Sequence, residues 1–138
     1  MNKEIVYLSL GSNLGDKEEN IKHAMQMIKE RAGDIISVSA FFYSAPWGFS
    51  SDNGFVNNCV AMTTSLQPLE LLNTLQEIEK AVGRTKKSVD GQYADRIIDI
   101  DIILWGERVI DLPELKVPHP LMEQRDFVME PLREVKKD

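Results

Sequence analysis

The chain has 138 residues, of which 43% are hydrophobic and 28% charged, and its net charge is −6. This composition is typical of one globular domain, and the single cysteine, Cys59, excludes an intramolecular disulfide. The N-terminal apolar stretch is too short for a signal peptide or a membrane span, so we expect a cytoplasmic protein with no membrane partner. The acidic balance also disfavours nucleic acid as a partner.

The first half of the chain predicts a strand, a helix and two further strands. Residues 4–10 are rich in β-formers and end at the turn sequence GSNLG. Asp16 can cap a helix with Glu19 three residues later, and Gly33 stops it. Residues 35–43 and 55–65 have strand composition. The helix should bury an apolar face made of Ile21, Ala24, Met25, Ile28 and Ala32.

The second half predicts a helix, a strand and an extension. Pro68 begins the helix and Gly83 follows its end. Residues 96–105 predict a fourth strand, a turn at Gly106 and Glu107 leads into a short hairpin, and a terminal helical segment follows. The apolar residues of the helix, at helical spacing, are Leu71, Leu72, Leu75, Ile78 and Val82.

The order of these elements, βαββαβ, is that of an α+β ferredoxin-like sandwich, with helices on one face of an antiparallel sheet. A C-terminal hairpin and helical extension completes it. We expect residues 1–138 to form a single domain.

The fourth strand, RIIDIDIILW, places two carboxylates in an otherwise apolar run. Because side chains alternate across a strand, Asp99 and Asp101 should share one face. Their backbones then stand roughly 6.6 Å apart, an arrangement that suits Mg²⁺ ions completed by water and substrate phosphates. The alternative is a solvated face, or carboxylates paired with Arg96 or a lysine. The opposite, core-facing side of the strand should carry Ile98, Ile100, Ile102 and Leu104.

A basic segment precedes this strand. Residues 84–96 hold four basic and two acidic residues, a net charge of +2, while the rest of the chain carries −8. Metal ions on the aspartates with guanidinium groups beside them would bind a polyphosphate. Such a segment is more often only a solvated loop, and the sequence has no Walker-type or dinucleotide-type glycine motif.

Aromatic residues are concentrated in one place, since six of the ten lie between positions 41 and 55. Polar side chains such as Ser44 and Asn57 lie in or beside this segment. Aromatic faces next to hydrogen-bonding groups suit a flat heterocycle. The alternative is a loop held on the core by its own aromatic side chains.

The segments GSNLG, YSAPWG, FVNN, RIIDIDIILWG and VPHP, in this order, resemble the 6-hydroxymethyl-7,8-dihydropterin pyrophosphokinase family. The most specific element is Arg-x-x-Asp-x-Asp, followed about 18 residues later by VPH. The resemblance covers nearly the whole chain. It implies transfer of diphosphate from ATP to the hydroxymethyl group of the pterin, giving AMP and the pterin diphosphate for folate biosynthesis, with two Mg²⁺ ions.

The resemblance also implies roles for individual residues. Asp99 and Asp101 would hold the two Mg²⁺ ions, and Arg84 and Arg96 would be the catalytic arginines on the phosphates. The ATP-binding positions would be Gln76, Glu79, Arg84, Lys86, Tyr93, Arg96, Ile102, Lys116, His119 and Arg125. The pterin-binding positions would be Ser44, Ala45, Pro46, Trp47, Phe55, Asn57 and Phe127.

Four positions depart from the common pattern of that family: Tyr93, Asp95, Lys116 and Pro120. They affect expected nucleotide contacts and leave the metal pair and the pterin rings untouched. Two other classes stay open, a small-molecule sensor or assembly module on the same fold and, disfavoured by the charge, a nucleic-acid-binding module. We expect a monomer.

Overall fold

The computed structural model describes residues 4–44, 54–83 and 97–136. The strands in these ranges are β1 (Val6–Ser12), β2 (Asp34–Val38), β3 (Phe42–Ser44), β4 (Phe55–Thr63), β5 (Asp99–Trp105), β6 (Ile110–Leu112) and β7 (Leu115–Val117). The helices are α1 (Lys17–Arg31), α2 (Pro68–Gly83) and α3 (Asp126–Val135), with one turn of 3-10 helix at Met122–Gln124. None of the helices found in these ranges has both the length and the apolarity needed to cross a bilayer.

The main sheet is antiparallel and has the strand order β2-β4-β1-β5, with β3 also paired to β4. Because β2 and β3 pair with successive halves of β4, they serve as one interrupted edge strand. The order is that of a ferredoxin-like sandwich, so the predicted fold class is confirmed. Strands β6 and β7 form the predicted hairpin as a separate two-stranded sheet.

The predicted strand at 35–43 is split because hydrogen bonds to side chains replace the ladder in its middle. Ser39 Oγ accepts from the backbone N–H of Cys59 at 2.9 Å. The backbone N–H of Ala40 donates to Glu134 Oε1 of α3 at 2.8 Å. Side chains thus satisfy backbone groups that would otherwise belong to the sheet.

Helix α1 begins as predicted, since the side chain of Asp16 accepts from the backbone N–H of Glu19 at 3.3 Å. Its buried face contains the predicted Ile21, Ala24 and Ile28. Met27 is buried on this helix, whereas Met25 is only half-buried. Met25 nevertheless contacts the sheet, because its Sδ accepts a hydrogen bond from Asn58 Nδ2 of β4 at 3.7 Å.

Two apolar cores lie on opposite faces of the sheet. The first core lies under α1 and α2, and the second lies under α3. The sequence predicted the two helices of the βαββαβ unit on one face and a terminal helical extension of unassigned position, and the structure places that extension, α3, on the other face. The buried residues of the second core are Tyr7, Cys59, Ala61, Ile103, Val128, Leu132 and Val135.

A β-bulge on β5 changes which side chains face each core. Tyr7 is paired with Leu104 but Leu8 with Ile102, so Ile103 is an extra residue in the ladder. Leu104 consequently packs against the second core, and its predicted place beside Ile102 was wrong. The bulge lies beyond Asp101, so the alternation that puts both aspartates on one face is preserved.

Candidate active site

On the sheet face that carries the second core, helix α3 packs mainly against β4, with further contacts to β3, β2 and β1. The strands place a row of polar and aromatic residues side by side on this face. Phe42 is paired with Asn57, Asn57 with Gly11, and Gly11 with Asp99. We call these four residues the polar row. Since strands lie about 4.8 Å apart, Asn57 and Asp99 stand roughly 10 Å apart at their backbones.

Asp99 and Asp101 both belong to β5 and are half-buried. Asp101 is paired with Ser9 of β1, which is paired in turn with Cys59 of β4. Both aspartates therefore lie on the edge strand β5 and on the same sheet face. Asp99 belongs to the polar row, and Asp101 belongs to the next row, with Ser9 and Cys59. The predicted common orientation of the aspartates is in agreement with this pairing.

Glu79 of α2 extends the acidic group from the side of the first core. Its Oε2 accepts from the backbone N–H of Ile100 at 2.7 Å. Among the described strands only β1 pairs with β5, and this bond satisfies an N–H on the other edge of β5. The segment between the two aspartates is therefore held by a side chain from α2.

Glu79 is mostly buried and lies close to both aspartates. Burial is the largest cause that raises its pKa, the hydrogen bond from Ile100 opposes this, and Asp99 and Asp101 add to the increase, so that together they raise the pKa to about 7. A carboxyl whose charged form is disfavoured by two neighbouring carboxylates marks a place where a cation would be stabilised.

The carboxylates of Asp99 and Asp101 fit a hard divalent cation that takes most of its ligands from water and from a bound substrate. In the described ranges no group of three or more His, Cys, Asp or Glu side chains could enclose a metal ion. Two half-buried carboxylates on one strand face instead offer a few oxygen ligands and leave the remaining positions open. Mg²⁺ favours such a site, because it keeps several waters and completes its shell with phosphate oxygens.

His119 and Arg125 lie near the same strand. The backbone N–H of His119 donates to Ile103 O at 3.0 Å, and its Nδ1 accepts from the backbone N–H of Leu121 at 3.2 Å. Burial lowers the pKa of His119, and Arg125 lowers it further against the opposing effect of Asp99. The lowered pKa favours the neutral imidazole near pH 7, and because Nδ1 accepts a hydrogen bond, Nε2 carries the proton and can donate to a ligand.

Phe127 borders the second core at the start of α3. The guanidinium carbon of Arg125 lies 5.6 Å from the centre of the Phe127 ring, a cation–π contact. On β3 and β4, Ser44 is paired with Phe55, two residues along each strand from the pair of Phe42 and Asn57. Phe55, Phe127 and Ser44 thus lie on the same sheet face as the polar row.

The remaining predicted nucleotide residues are placed differently. Gln76 is exposed on α2, one helical turn before Glu79. Ile102 is only 4% exposed, so its side chain belongs to the first core and only its backbone is available to a ligand. Lys116 lies on β7, where its ammonium is paired with Asp111 of β6.

Several predicted site residues lie outside the described ranges. They are Ala45, Pro46 and Trp47 of the aromatic segment and Arg84, Lys86, Tyr93 and Arg96 of the basic segment. Their roles stay predictions.

Sequence reasoning missed two features of this site. Gly11 was assigned only to a turn, although it lies inside β1 in the polar row. A glycine within a strand pattern is a signal of close approach and could have indicated it. The bond from Ile100 to Glu79 joins positions 21 apart in the sequence, and no local pattern predicts it.

The fold is shared with solved structures of two-function proteins. A chain described as HPPK-DHPS in complex with substrates matches 94% of this chain with a TM-score of 0.70 and 13% identity. Wild-type HPPK-DHPS from Plasmodium falciparum matches 95% with a TM-score of 0.69 and 15% identity. This chain spans 39% and 41% of those longer chains, and at such identities the likeness defines the fold class alone.

Sequence identity is much higher to pyrophosphokinases of about the same length as this chain. The 2-amino-4-hydroxy-6-hydroxymethyldihydropteridine pyrophosphokinase of Porphyromonas gingivalis is 48% identical over 132 residues, which cover 95% of this chain and 90% of that protein. The enzyme of the same name from Pseudomonas aeruginosa is 42% identical over 135 residues, covering 96% and 81%. The profile of the 7,8-dihydro-6-hydroxymethylpterin-pyrophosphokinase family matches residues 7–137.

The chain therefore belongs to the 7,8-dihydro-6-hydroxymethylpterin-pyrophosphokinase family. Its activity is that of a pyrophosphokinase, a transferase of folate biosynthesis. The predicted family and function are confirmed.

Proposed function

We propose that this chain transfers diphosphate from ATP to the hydroxymethyl group of 6-hydroxymethyl-7,8-dihydropterin, with two Mg²⁺ ions on Asp99 and Asp101. The observation that carries the proposal is the polar row, in which Asn57 and Asp99 flank Gly11. A pterin bonded to Asn57 would extend its substituent toward the aspartates. A separation of roughly 10 Å leaves room for the hydroxymethyl group and the phosphorus it attacks.

The pterin would lie on the sheet face between aromatic rings. Phe55 and Phe127 both lie at this face and could stack on a flat heterocycle. Asn57 and Ser44 would bond the polar edge of the ring, together with Ala45, Pro46 and Trp47. Because Asn57 is only 5% exposed, its amide would recognise the ligand with little competition from water.

The nucleotide would lie along the edge of β5 that is opposite β1. In an antiparallel ladder, backbone groups of every second residue point to the same side, so Ile102 should present its N–H to the same edge as Ile100. The backbone of Ile102 could then bond an adenine ring. The side chains assigned to the nucleotide are Gln76, Glu79, Arg84, Lys86, Tyr93, Arg96, Lys116, His119 and Arg125.

In the reaction, the hydroxymethyl oxygen forms a bond to the β-phosphorus while the bond from that phosphorus to the oxygen of AMP breaks. The hydroxyl proton passes to solvent. Bound Mg²⁺ supplies neutralisation of the phosphate charge. Arg84 and Arg96 stabilise the charge that develops on the phosphate oxygens, and neutral His119 donates a hydrogen bond. We expect positioning and charge stabilisation to dominate and no strong general base to be needed.

The rest of the proposal concerns the protein as a whole. Residues 1–138 form one pyrophosphokinase domain that acts as a cytoplasmic monomer. Its ligands are ATP and the pterin, and neither nucleic acid nor membrane is a partner.

The test is AMP release from ATP and Mg²⁺ with and without the pterin alcohol. We expect pterin-dependent AMP from the wild type and a loss of about 100-fold or more in Asp99→Asn and Asp101→Asn. Asp34→Asn is the matched control, because Asp34 is an exposed aspartate on β2, at the opposite edge of the sheet. Equal losses in all three variants, or wild-type AMP release that ignores the pterin, would contradict the proposal.

A further inference from the structure

Gly11 lies in the polar row between Asn57 and Asp99. We propose that Gly11 is a positioning residue. Because Gly11 has no side chain, the Asn57 amide can occupy the space beside it, and in that position the amide can bond the 2-amino-4-oxo edge of a pteridine ring. This inference rests on the proposed assignment of Asn57 to the pterin.

The backbone conformation does not explain why this position is a glycine. Among the described residues, a positive φ occurs at Gly15 and Gly106 and at no other glycine. Gly11 instead lies inside β1, where it is paired on both sides. A glycine inside a strand costs free energy and contributes no packing, so its presence requires another reason.

The space around Gly11 supplies that reason. A Cβ at Gly11 would lie under 3.0 Å from Asn57 Nδ2 and 3.4 Å from Asn57 Cγ. The next nearest atom, Val56 O, would be at an ordinary contact distance of 3.8 Å. The conflict is thus with the end of one side chain, and the amide of Asn57 has to move while the strands stay paired.

The Asn57 amide is held over Gly11 and has an unused hydrogen-bonding atom. It is only 5% exposed, and its Nδ2 donates to Leu10 O at 3.4 Å. Its Oδ1 is buried and accepts no hydrogen bond from any described residue. A buried amide oxygen is costly unless a partner bonds it, and an amino or ring N–H group of a bound heterocycle would do so.

Displacing the amide should therefore weaken pterin binding and leave the nucleotide site intact. A double-mutant cycle isolates this effect, because Asn57→Ala removes the amide that an alanine at position 11 would push aside. The quantity to measure is the calorimetric Kd of 6-hydroxymethylpterin in the presence of Mg²⁺ and a non-hydrolysable ATP analogue, for the wild type, Gly11→Ala, Asn57→Ala and the double variant.

We expect Gly11→Ala and Asn57→Ala each to raise the Kd of the pterin about 10-fold, the change for one lost hydrogen bond. Gly11→Ala should add less than about 2-fold in the Asn57→Ala background. The Kd of the nucleotide analogue should stay within about 2-fold in all variants. Thermal unfolding should show that the double variant is folded, and that Asn57→Ala recovers stability lost in Gly11→Ala.

Two binding results would overturn the inference alone: Asn57→Ala weakens pterin binding while Gly11→Ala does not, or Gly11→Ala has the same effect in both backgrounds. A double variant that fails to fold would also overturn it, because Gly11 would then serve the backbone. If Asn57→Ala binds the pterin as the wild type does, the assignment of Asn57 fails and the inference fails with it.

Discussion

Glu79 Oε2 on α2 accepts a hydrogen bond from the backbone N–H of Ile100, at 2.7 Å, between the two aspartates of β5. Helix α2, which packs on one face of the sheet, thus holds the part of β5 that presents Asp99 and Asp101 on the other face. A carboxylate performs this task although burial and the two aspartates disfavour its charge.

Glu79→Ala removes the acceptor of the Ile100 N–H, whereas Glu79→Gln keeps an oxygen that can accept it. We expect Glu79→Ala to have a free energy of unfolding about 1–3 kcal/mol below that of Glu79→Gln at pH 8. Urea denaturation measures both, and Gln76→Ala, an exposed change on the same helix, is the control. Equal stabilities of the two Glu79 variants would show that the bond does not hold β5.

The stability of the wild type should depend on pH through Glu79. Its pKa rises from 4.5 to about 7 on folding, so between these values the native state binds more protons than the unfolded state. The stabilisation from this group is therefore fully present below about pH 4.5 and is lost as the pH rises through about 7.

Glu79→Gln lacks this dependence. We expect the free energy of unfolding of Glu79→Gln, relative to the wild type, to increase between pH 5 and pH 8 by at most about 3 kcal/mol, and by less because Glu79 is partly exposed to water. Urea denaturation at four pH values measures the difference. A difference that stays constant over this range would rule out the raised pKa.

The two nitrogens of His119 should have separable roles. His119→Asn can keep the acceptor for the Leu121 N–H, while His119→Gln places its amide nearer the position of Nε2. We expect His119→Asn to unfold at the wild-type temperature but to raise the KM for ATP about 10-fold, the cost of one hydrogen bond. His119→Gln should keep a KM closer to that of the wild type. The reverse order of KM values would place the ligand contact on Nδ1.

Asp16 should be a stabilising cap whose effect is independent of the active site. Asp16→Ala removes the acceptor for the Glu19 N–H, and we expect a loss of about 1 kcal/mol in the free energy of unfolding. Lys22→Ala, which breaks only an exposed ion pair with Glu19, should change stability by less than about 0.5 kcal/mol. Comparable losses in the two variants would mean that the cap is not formed.

Local sequence patterns predicted many of the helices and strands, because a cap, a proline or the period of the side chains is enough to indicate such an element. Asp16 and Glu19 predicted the start of α1, and Pro68 begins α2 as expected, whereas Gly83 is the last residue of α2 and does not follow its end. The order of elements then determined the sheet topology, because few arrangements satisfy the rules for connecting them. The alternation of Asp99 and Asp101 needs only the period of a strand.

The features that were missed depend on contacts between distant parts of the chain. The interruption of the edge strand involves Glu134, 94 residues from Ala40. The bulge that moves Leu104 to the second core is a mismatch between β1 and β5, which neither strand shows alone. The same holds for Gly11, whose importance depends on the side chain of Asn57 in a neighbouring strand.

For the site, the sequence indicated which types of residue to expect and said less about how they are arranged in space. Two aspartates on a strand indicated a cation site, and their proximity to Glu79 agrees with that chemistry. The family resemblance, and not the spacing, assigned Phe127 and His119. Both lie beyond β5, at the start of α3 and after the hairpin.

The most direct test of the proposed reaction is ³¹P NMR of ATP, Mg²⁺ and 6-hydroxymethyl-7,8-dihydropterin incubated with the enzyme. Diphosphate transfer predicts that AMP and a diphosphate ester of the pterin appear together, in equal amounts, as ATP is consumed. Formation of ADP with a pterin monophosphate, or consumption of ATP without a phosphorylated pterin, would contradict it.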